Sequence, residues 1–567
     1  MPEGGNGQAG LNGPGGSDGT EGTAGPNGPG GESGQPKESG QAGMGSRNSQ
    51  SRQNGQSVPY GHGGTSQTAG ENAELTLSSS LDETLGRFRK VFGSDGTIRI
   101  RVIENPGGGF RCGLLYLDGM IDRLILQEGV IKPIINYSLP DGVRMAPPEL
   151  LEEIRSRIIS AADVRATSDM SEAISAALSG HSLLFIDGHA GSLIIGTQGW
   201  ESRAISDSMT EKTIRGSREG FTETLSVNLS MIRRRVQAPD LKFLFIEVGR
   251  RSRTPLCICY LESLAPPAIL KELQKRLNEL DIDHILDTGY LAELIRDEPY
   301  SPFDTIGSTE RPDTLVGKLM EGRIGVLIEG TPFALSLPFL FIENFQASED
   351  YYINYYFASF NRLLRLGGAL LSIGIPAMYV AWVTYAQEMV PTKLLLSIAA
   401  SRMAVPFPTI VEAVLMILTF EILREAGARI PTSIGQAVSI VGALVLGQAA
   451  VDARIVSAPM VIVVGVTGIT TLLNPRLTGP LLVVRFLLLF CSFFLGSYGL
   501  FLGMLGVLIH LMSLRSFGTP YMLGTSSIKP EDIKDTAVRA PWWDMRVRPA
   551  VTGLRNVWRQ RTGRPKA

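Results

Sequence analysis

The chain has 567 residues, with 53 Lys and Arg against 55 Asp and Glu. A balance this close to neutral excludes the strongly basic footprint of a nucleic-acid-binding domain. The 44% hydrophobic content averages two unlike halves: residues before Arg362 read as a water-soluble protein, whereas Leu366 to Leu514 is mostly long apolar runs. The expectation is a cytosolic half and a membrane half, the first half not exported because no apolar signal region opens it. Function should then couple something in the cytosol to something in or across a bilayer. Cys112, Cys257, Cys259 and Cys491 have no disulfide or zinc spacing, and Cys257 and Cys259 alternate along a predicted strand as buried thiols.

Residues 1–75 are expected to form a disordered Gly-rich tail, since the first 70 hold 22 glycines and one aromatic, Tyr60. Glycine fills every third position from Gly4 through Gly34, the collagen period, although prolines are sparse. A flexible tether is the expectation, a weak triple helix the alternative.

A duplication follows. Ile98 to Ile103, a turn at Glu104 to Gly109, and Phe110 to Leu117 read as a β-hairpin ending in Tyr116-Leu117-Asp118. Leu241 to Val248, a turn at Gly249 to Arg253, and Pro255 to Leu261 repeat it, ending in Tyr260-Leu261-Glu262, with an amphipathic helix from Pro267 to Leu280. The offset is 144 residues. A second pair of segments, Gly180 to Gly188 and Gly322 to Gly330, lies 142 apart. The reading is a duplicated α/β module, a first lobe at 80–205 and a second at 241–345, with a cleft between them suited to a small ligand.

The connecting segment 206–240 contains Arg215, Arg218, Glu219, Arg233, Arg234 and Arg235. It reads either as a solvated basic helix or as a surface for anionic headgroups or a neighbouring subunit. Gly107-Gly108-Gly109 lacks the Lys-Ser/Thr of a phosphate loop and reads as a hairpin turn. His181 and His189 have no further metal ligands nearby.

Six aromatics between Tyr351 and Phe360 suggest an interfacial or core-packing helix at 346–365. An all-α polytopic membrane domain is expected at 366–516, with helices at 366–385, 394–423, 433–451, 455–473, 481–496 and 499–514. Six crossings with both termini inside is the reading, and four the alternative. The second helix should be broken at Arg402 and Pro406-Phe407-Pro408, which makes it the first candidate for a conduction path. Glu412 reads equally as a capping-box partner of Thr409 and as a pore carboxylate. Glu421 lies nine residues on, about 180° around a helix, so at most one of the two carboxylates can face a common pore. Asp452 and Arg454 form a tight outer turn, paired with each other or water, or lining an ion vestibule. Phe486 to Leu514 reads as a hairpin of two short spans with a Gly499/Gly503 contact face. His510 near its inner end reads as an interfacial or hydrogen-bonded neutral group. The tail 517–567 is basic and expected in the cytosol.

Arg215-Gly-Ser-Arg-Glu-Gly-Phe through Ile232-Arg-Arg-Arg, Thr309-Glu-Arg-Pro-Asp, Glu321-Gly-Arg, Glu329-Gly-Thr-Pro-Phe-Ala-Leu, Ser348-Glu-Asp-Tyr-Tyr, Glu425-Ala-Gly-Ala-Arg-Ile-Pro, Ile434-Gly-Gln-Ala-Val-Ser-Ile-Val-Gly-Ala-Leu and Ser513-Leu-Arg-Ser-Phe-Gly occur in one order. Together they resemble the A subunit of bacterial spore germinant receptors over about residues 80 to 525. The resemblance implies a protein of the spore inner membrane that acts with a transporter-like B subunit and a lipoprotein C subunit. It also implies self-association into a ring-like homo-oligomer that forms a nutrient-gated cation channel. The Gly-rich head lies outside the family's pattern. The spans alone do not separate a channel from a secondary carrier or a non-conducting scaffold. No catalytic constellation or cofactor motif stands out, so no enzyme activity is expected.

Overall fold

The structure is a computed structural model that describes residues 76–105, 109–138, 145–200, 211, 213, 215–429, 442, 445–524, 534–548 and 558–559. The Gly-X-Y head, most of the expected 433–451 span, and Glu531 and Asp532 lie outside the described residues.

Two β-sheet lobes precede a helical region. Lobe 1 has strands β1 (Ile98–Asn105), β2 (Phe110–Leu117), β3 (Val164–Thr167), β4 (Ser182–Ile186) and β5 (Ser192–Ile195), ordered β1-β2-β4-β5-β3. Lobe 2 has β6 (Leu241–Val248), β7 (Thr254–Leu261), β8 (Gly307–Thr309), β9 (Ile324–Ile328) and β10 (Ala334–Leu337), ordered β6-β7-β9-β10-β8. Every pairing is antiparallel. The central strands β4 and β9 are buried along their whole length because both faces of each sheet are covered. In lobe 1, Leu81, Leu85, Phe88 and Phe92 of the helix Leu81–Phe92 pack with Leu115, Leu183 and Phe185. Leu114, Leu184 and Ile186 face a second layer that includes Val130, Ile134 and Ile154. Lobe 2 repeats the arrangement: Ile258, Val326 and Ile328 face Leu273 and Leu277 of the helix Pro267–Asn278, while Cys257, Cys259 and Leu327 face Leu229 and Leu315.

The repeated Gly segments have a backbone reason. Gly180 and Gly188 flank β4, Gly322 and Gly330 flank β9, and all four have φ between 87° and 90°, a region that glycine enters without a Cβ penalty.

The connecting segment folds as the helix Leu225–Arg235 packed between the lobes. Asp95 of lobe 1 accepts from Arg233 Nη2 at 2.5 Å, with both side chains buried. Lys242 of β6 donates to the carbonyls of Val91 and Phe92 at 3.2 and 2.6 Å.

The helical region opens with Tyr355–Thr384, 30 residues long, which runs through the boundary expected at residue 365. The interfacial segment and the first apolar run therefore form one rod: Asn354 caps its N-terminus and no helix breaker separates the two. The next apolar stretch is two separate helices, Thr392–Arg402 and Thr409–Arg429. Residues 445–452 are helical, and Ala458–Leu472 follows. The last helix, Thr478–Ser513, is sharply bent at Gly496, where φ is 58° and ψ −139°. A Cβ on Gly499 would stand 1.9 Å from the Cys491 carbonyl oxygen, and one on Gly503 would stand 2.7 Å from Leu488, so the two arms fold against each other as a hairpin. Tyr385 seals its tip, donating from its hydroxyl to the Phe493 carbonyl at 2.6 Å. Among the described residues two helical stretches, Tyr355–Thr384 and Pro475–Ser513, are long and apolar enough to cross a membrane, and Ala458–Leu472 is a shorter apolar helix.

Candidate functional site

Among the described residues beyond Tyr385, Glu412 and Arg485 centre two groups of buried ionisable side chains. At the end remote from the lobes, Glu412 is fully buried. Its Oε2 accepts from the Ser457 amide at 3.0 Å and from Ser457 Oγ at 2.8 Å, and Arg402 Nε stands 3.4 Å from its Oε1. Ser457 is the N-cap of Ala458–Leu472, so Glu412 satisfies an orphan amide at the start of another helix and meets its positive dipole end. This corrects the capping box with Thr409: the carboxylate reaches across to a neighbour instead of back to its own first turn. Pro408 supplies the carbonyl that accepts from the amides of Val411 and Glu412, and Pro406 lies in the turn that separates the two helices.

Closer to the lobes, Arg485 is buried and joins four helices. Its Nε donates to the Ser372 carbonyl at 2.9 Å, its Nη2 to Thr471 Oγ1 at 2.7 Å and its Nη1 to Glu421 Oε1 at 3.2 Å. Arg424 Nη2 lies 2.6 Å from the other oxygen of Glu421. Glu412 and Glu421 thus share a helix but sit in separate groups, each neutralised by arginine. An unpaired charge here would carry a large desolvation cost, which the shared hydrogen bonds offset.

Asp452 and Arg454 do not pair with each other. Asp452 accepts from Gln448 Nε2 at 3.0 Å, one helical turn back, and Arg454 takes φ 57° in the turn, a conformation that closes the turn without bringing its guanidinium to the neighbouring carboxylate.

The connecting segment also departs from expectation. Arg233 is consumed by the ion pair between the lobes and does not form a headgroup surface. Arg235 pairs with Glu219 and donates to Ser217 Oγ at 3.2 Å. The guanidinium of Arg234 lies 5.3 Å from the Trp200 ring centre. Arg215 and Arg218 are exposed. The cause is amphipathicity: three consecutive arginines end a short helix wedged between two lobes, and one of them must point inward.

A third set of ion pairs lies where the end of lobe 2 runs into the first long helix. Lys318 and Arg323 flank Glu343 at 2.9 and 2.7 Å. Burial pushes the Glu343 carboxyl up, but Arg323 and Lys318 outweigh it and hold the group below the ordinary glutamate value. Asp350 accepts from Arg362 at 2.8 Å and from Arg365 at 2.5 Å. Asp535 of the tail meets Arg362 at 2.6 Å and accepts from the Tyr351 hydroxyl at 2.7 Å. At the inner end of the hairpin, His510 Nε2 lies 3.0 Å from Ser301 Oγ of lobe 2, and Ser516 Oγ donates to the Thr305 carbonyl at 2.6 Å while accepting from the Phe339 amide at 3.0 Å. Arg476, before the first arm, pairs with Glu211 of the connecting segment. Both ends of the hairpin therefore return to the lobes.

Sequence reasoning missed Arg485, Asp350 and Asp535. Arg485 looks like a flank of the run from Phe486, whereas the helix starts at Thr478 and buries it. A signal was present: an arginine inside Leu481 to Leu489 with apolar residues on both sides needs a buried acid, and Glu421 is one of few acids within the apolar runs. Asp535 sits in a tail whose basic character drew attention away from its acids. Among the described residues no group of three or more metal-ligating side chains occurs.

The model of the Bacillus/Clostridium GerA spore germination protein family matches residues 87–551. Spore germination protein KA of Bacillus subtilis is 39% identical over 489 residues, 86% of this chain and 89% of that protein. A Bacillus subtilis protein described as the uncharacterised membrane protein YfkQ is 40% identical over 482 residues, 84% of this chain and 92% of the other. The crystal structure of the N-terminal domain of the A subunit of the Bacillus megaterium spore germinant receptor GerK3 is 30% identical, covering 47% of this chain and 97% of its own, with a TM-score of 0.37. The chain belongs to the Bacillus/Clostridium GerA spore germination protein family.

Proposed function

We propose that this chain is the A-type subunit of a spore germinant receptor, that it sits in the spore inner membrane with both termini in the cytosol, and that it contributes the ion path of a nutrient-gated cation channel. Its partners are a transporter-like B subunit, a lipoprotein C subunit and further copies of itself in a ring. Lobe 1 (80–205) and lobe 2 (241–345) organise the cytosolic side, residues 366–516 cross the bilayer six times, and the basic tail 517–567 returns to the cytosol.

The observation that carries the ion path is the group of Glu421, Arg485 and Arg424 shared by the helices of the apolar half. Ionisable groups at membrane depth mark ion pathways or the elements that gate them. Here both Glu421 and Glu412 are neutralised by arginine, so neither attracts a cation and the inner path is closed. Opening requires that these pairs be exchanged, and the free energy for that is supplied by a partner whose nutrient-bound form favours the open arrangement. Pro406, Pro408, Arg402, Asp452 and Arg454 line the outer end of this path, and the exposed Arg215 and Arg218 face lipid headgroups or a neighbouring subunit.

The test is monovalent cation flux through liposomes that hold the purified chain with its B and C partners. Nutrient-dependent flux, altered in rate or selectivity by Glu421→Gln or Glu412→Gln, supports the reading. Saturable uptake coupled to a substrate identifies a secondary carrier instead, and silence from verified complexes identifies a scaffold.

A further inference from the structure

The aromatic residues at the root of the first long helix divide into two sets. Tyr351 is half-buried in the ion-pair group with Asp535 and Arg362. Tyr356, Phe357 and Phe360 stay 71, 58 and 56% exposed. The tail brings two more rings to the same place. Trp542 packs on Tyr351 with ring centres 5.8 Å apart, and its indole N–H donates to the Tyr351 carbonyl at 3.3 Å. Trp543 meets Tyr355 edge-on at 5.8 Å. Arg539 fixes this segment: its guanidinium lies over both Tyr351 and Trp542 and donates to the Ile353 carbonyl at 3.1 Å. Trp542 and Trp543 are nevertheless 48 and 44% exposed, next to Val538 at 54%.

Each tryptophan is thus held by the helix root and still about half exposed. Soluble surfaces rarely keep such an aromatic patch uncovered, whereas Trp and Tyr concentrate where hydrocarbon meets water. The position fits that layer. Twenty residues counted back from Thr384, the reach of a hydrocarbon layer about 30 Å thick, end at Arg365. Phe360 and Phe357 follow within about two helical turns, on the lobe side of that boundary. The half-exposed Leu363 and Leu364 make the patch continuous with the apolar face of the helix. Charge agrees at one side chain: Arg546 is exposed beside Trp543, where anionic headgroups attract basic side chains.

We infer that the tail segment around Trp542 and Trp543 is a membrane-interface anchor, docked on the root of the first long helix and laid against the headgroup layer of the bilayer leaflet that faces the lobes. This rests on the membrane placement proposed above. The ligand of this surface is the lipid interface, and the anchor fixes the depth of the Arg362, Asp350 and Asp535 group that joins the tail to the root of the helix.

The chain has five tryptophans, Trp200, Trp382, Trp542, Trp543 and Trp558, which makes the inference accessible to fluorescence. The full chain is placed in liposomes containing lipids brominated near the headgroup or near the chain middle, as three proteins that retain Trp382, Trp542 or Trp543 alone, with Phe elsewhere. In a second series Trp542→Phe and Trp543→Phe are made singly in the otherwise native chain. Trp382 is the internal reference, because it lies in the long helix itself. The expected result is quenching of Trp382 together with loss of Trp542 and Trp543 fluorescence that is greater with headgroup-proximal than with mid-chain bromine. Each single Phe substitution should remove part of the shallow-quenched signal. Quenched Trp382 with unquenched Trp542 and Trp543 overturns the anchor and leaves the membrane placement standing. Unquenched Trp382 overturns the membrane placement and the anchor with it. Tail tryptophans shielded from an aqueous quencher only when partner subunits are added show a protein surface and overturn the lipid assignment.

Discussion

Lobe 1 and lobe 2 share a strand order and a backbone, yet their charges differ at the same turn. The amide of His181 donates to the Ala176 carbonyl at 3.1 Å, and the amide of Arg323 donates to the Lys318 carbonyl at the same distance, 142 residues on. Where lobe 1 has Ala176 and His181, lobe 2 has Lys318 and Arg323, and these two cations grip Glu343 just before the root of the first long helix. The links from the lobes to the helices described above all start in lobe 2 or the connecting segment: Ser301 to His510, Thr305 and Phe339 to Ser516, Glu211 to Arg476. One fold is therefore used twice, and on an unchanged turn it is lobe 2 that carries the cations paired with Glu343.

This contrast can be broken most severely at Arg362, where lobe side, tail and helix meet. Arg362→Ala strips Asp350 and Asp535 of a shared buried partner and should cost about 3–5 kcal/mol. The expected reading is a large drop in thermal midpoint of the detergent-purified protein, with the tail becoming sensitive to limited proteolysis. Arg233→Ala breaks the buried pair with Asp95, a loss of about 3 kcal/mol at the low end of that range, but between the lobes. It should lower the midpoint while Trp542 and Trp543 keep their emission maximum; a shift there would mean that the lobe interface also holds the tail.

Acid should separate the lobes. The folded Glu343 carboxyl lies below the ordinary glutamate value of 4.5, so its contribution is present above that value and is lost as pH falls through the folded pKa. Lobe 2 should then release the helices before lobe 1 melts, read as loss of the Ser301 to His510 proximity in a spin-label distance measurement, and Glu343→Gln should remove that acid step. The smallest change is Ser301→Ala, which removes one hydrogen bond to His510 and should cost about 1 kcal/mol, with no effect on the lobe 1 core.

Much of the lobe fold was legible because repeats show themselves without knowledge of structure. Matching hairpins and matching glycines at one offset point to two copies, and the glycines prove to be positions of positive φ. The hairpin around Gly496 was expected from Arg485 and Arg515 as basic ends, yet Arg485 lies inside the first arm and is paired with Glu421, so the bend was expected on a signal that has another role. What was not legible depends on distant partners. Nothing in the sequence around Glu412 points to Ser457, 45 residues away, and nothing in Arg233 points to Asp95, 138 residues away. Local patterns offered a nearer partner for each, Thr409 for Glu412 and solvent for Arg233, and the tertiary fold supplied a better one.

The measurement that bears most directly on the account is the side of the membrane on which lobe 2 and the outer turn lie. Single cysteines at Tyr300, 99% exposed in lobe 2, and at Arg454, exposed in the turn before Ala458–Leu472, can be probed with a membrane-impermeant maleimide on sealed right-side-out vesicles in a Cys491→Ser background. The account predicts that Arg454→Cys is labelled on intact vesicles and that Tyr300→Cys is labelled only after they are opened. Labelling of both on intact vesicles, or of Tyr300→Cys alone, would contradict it.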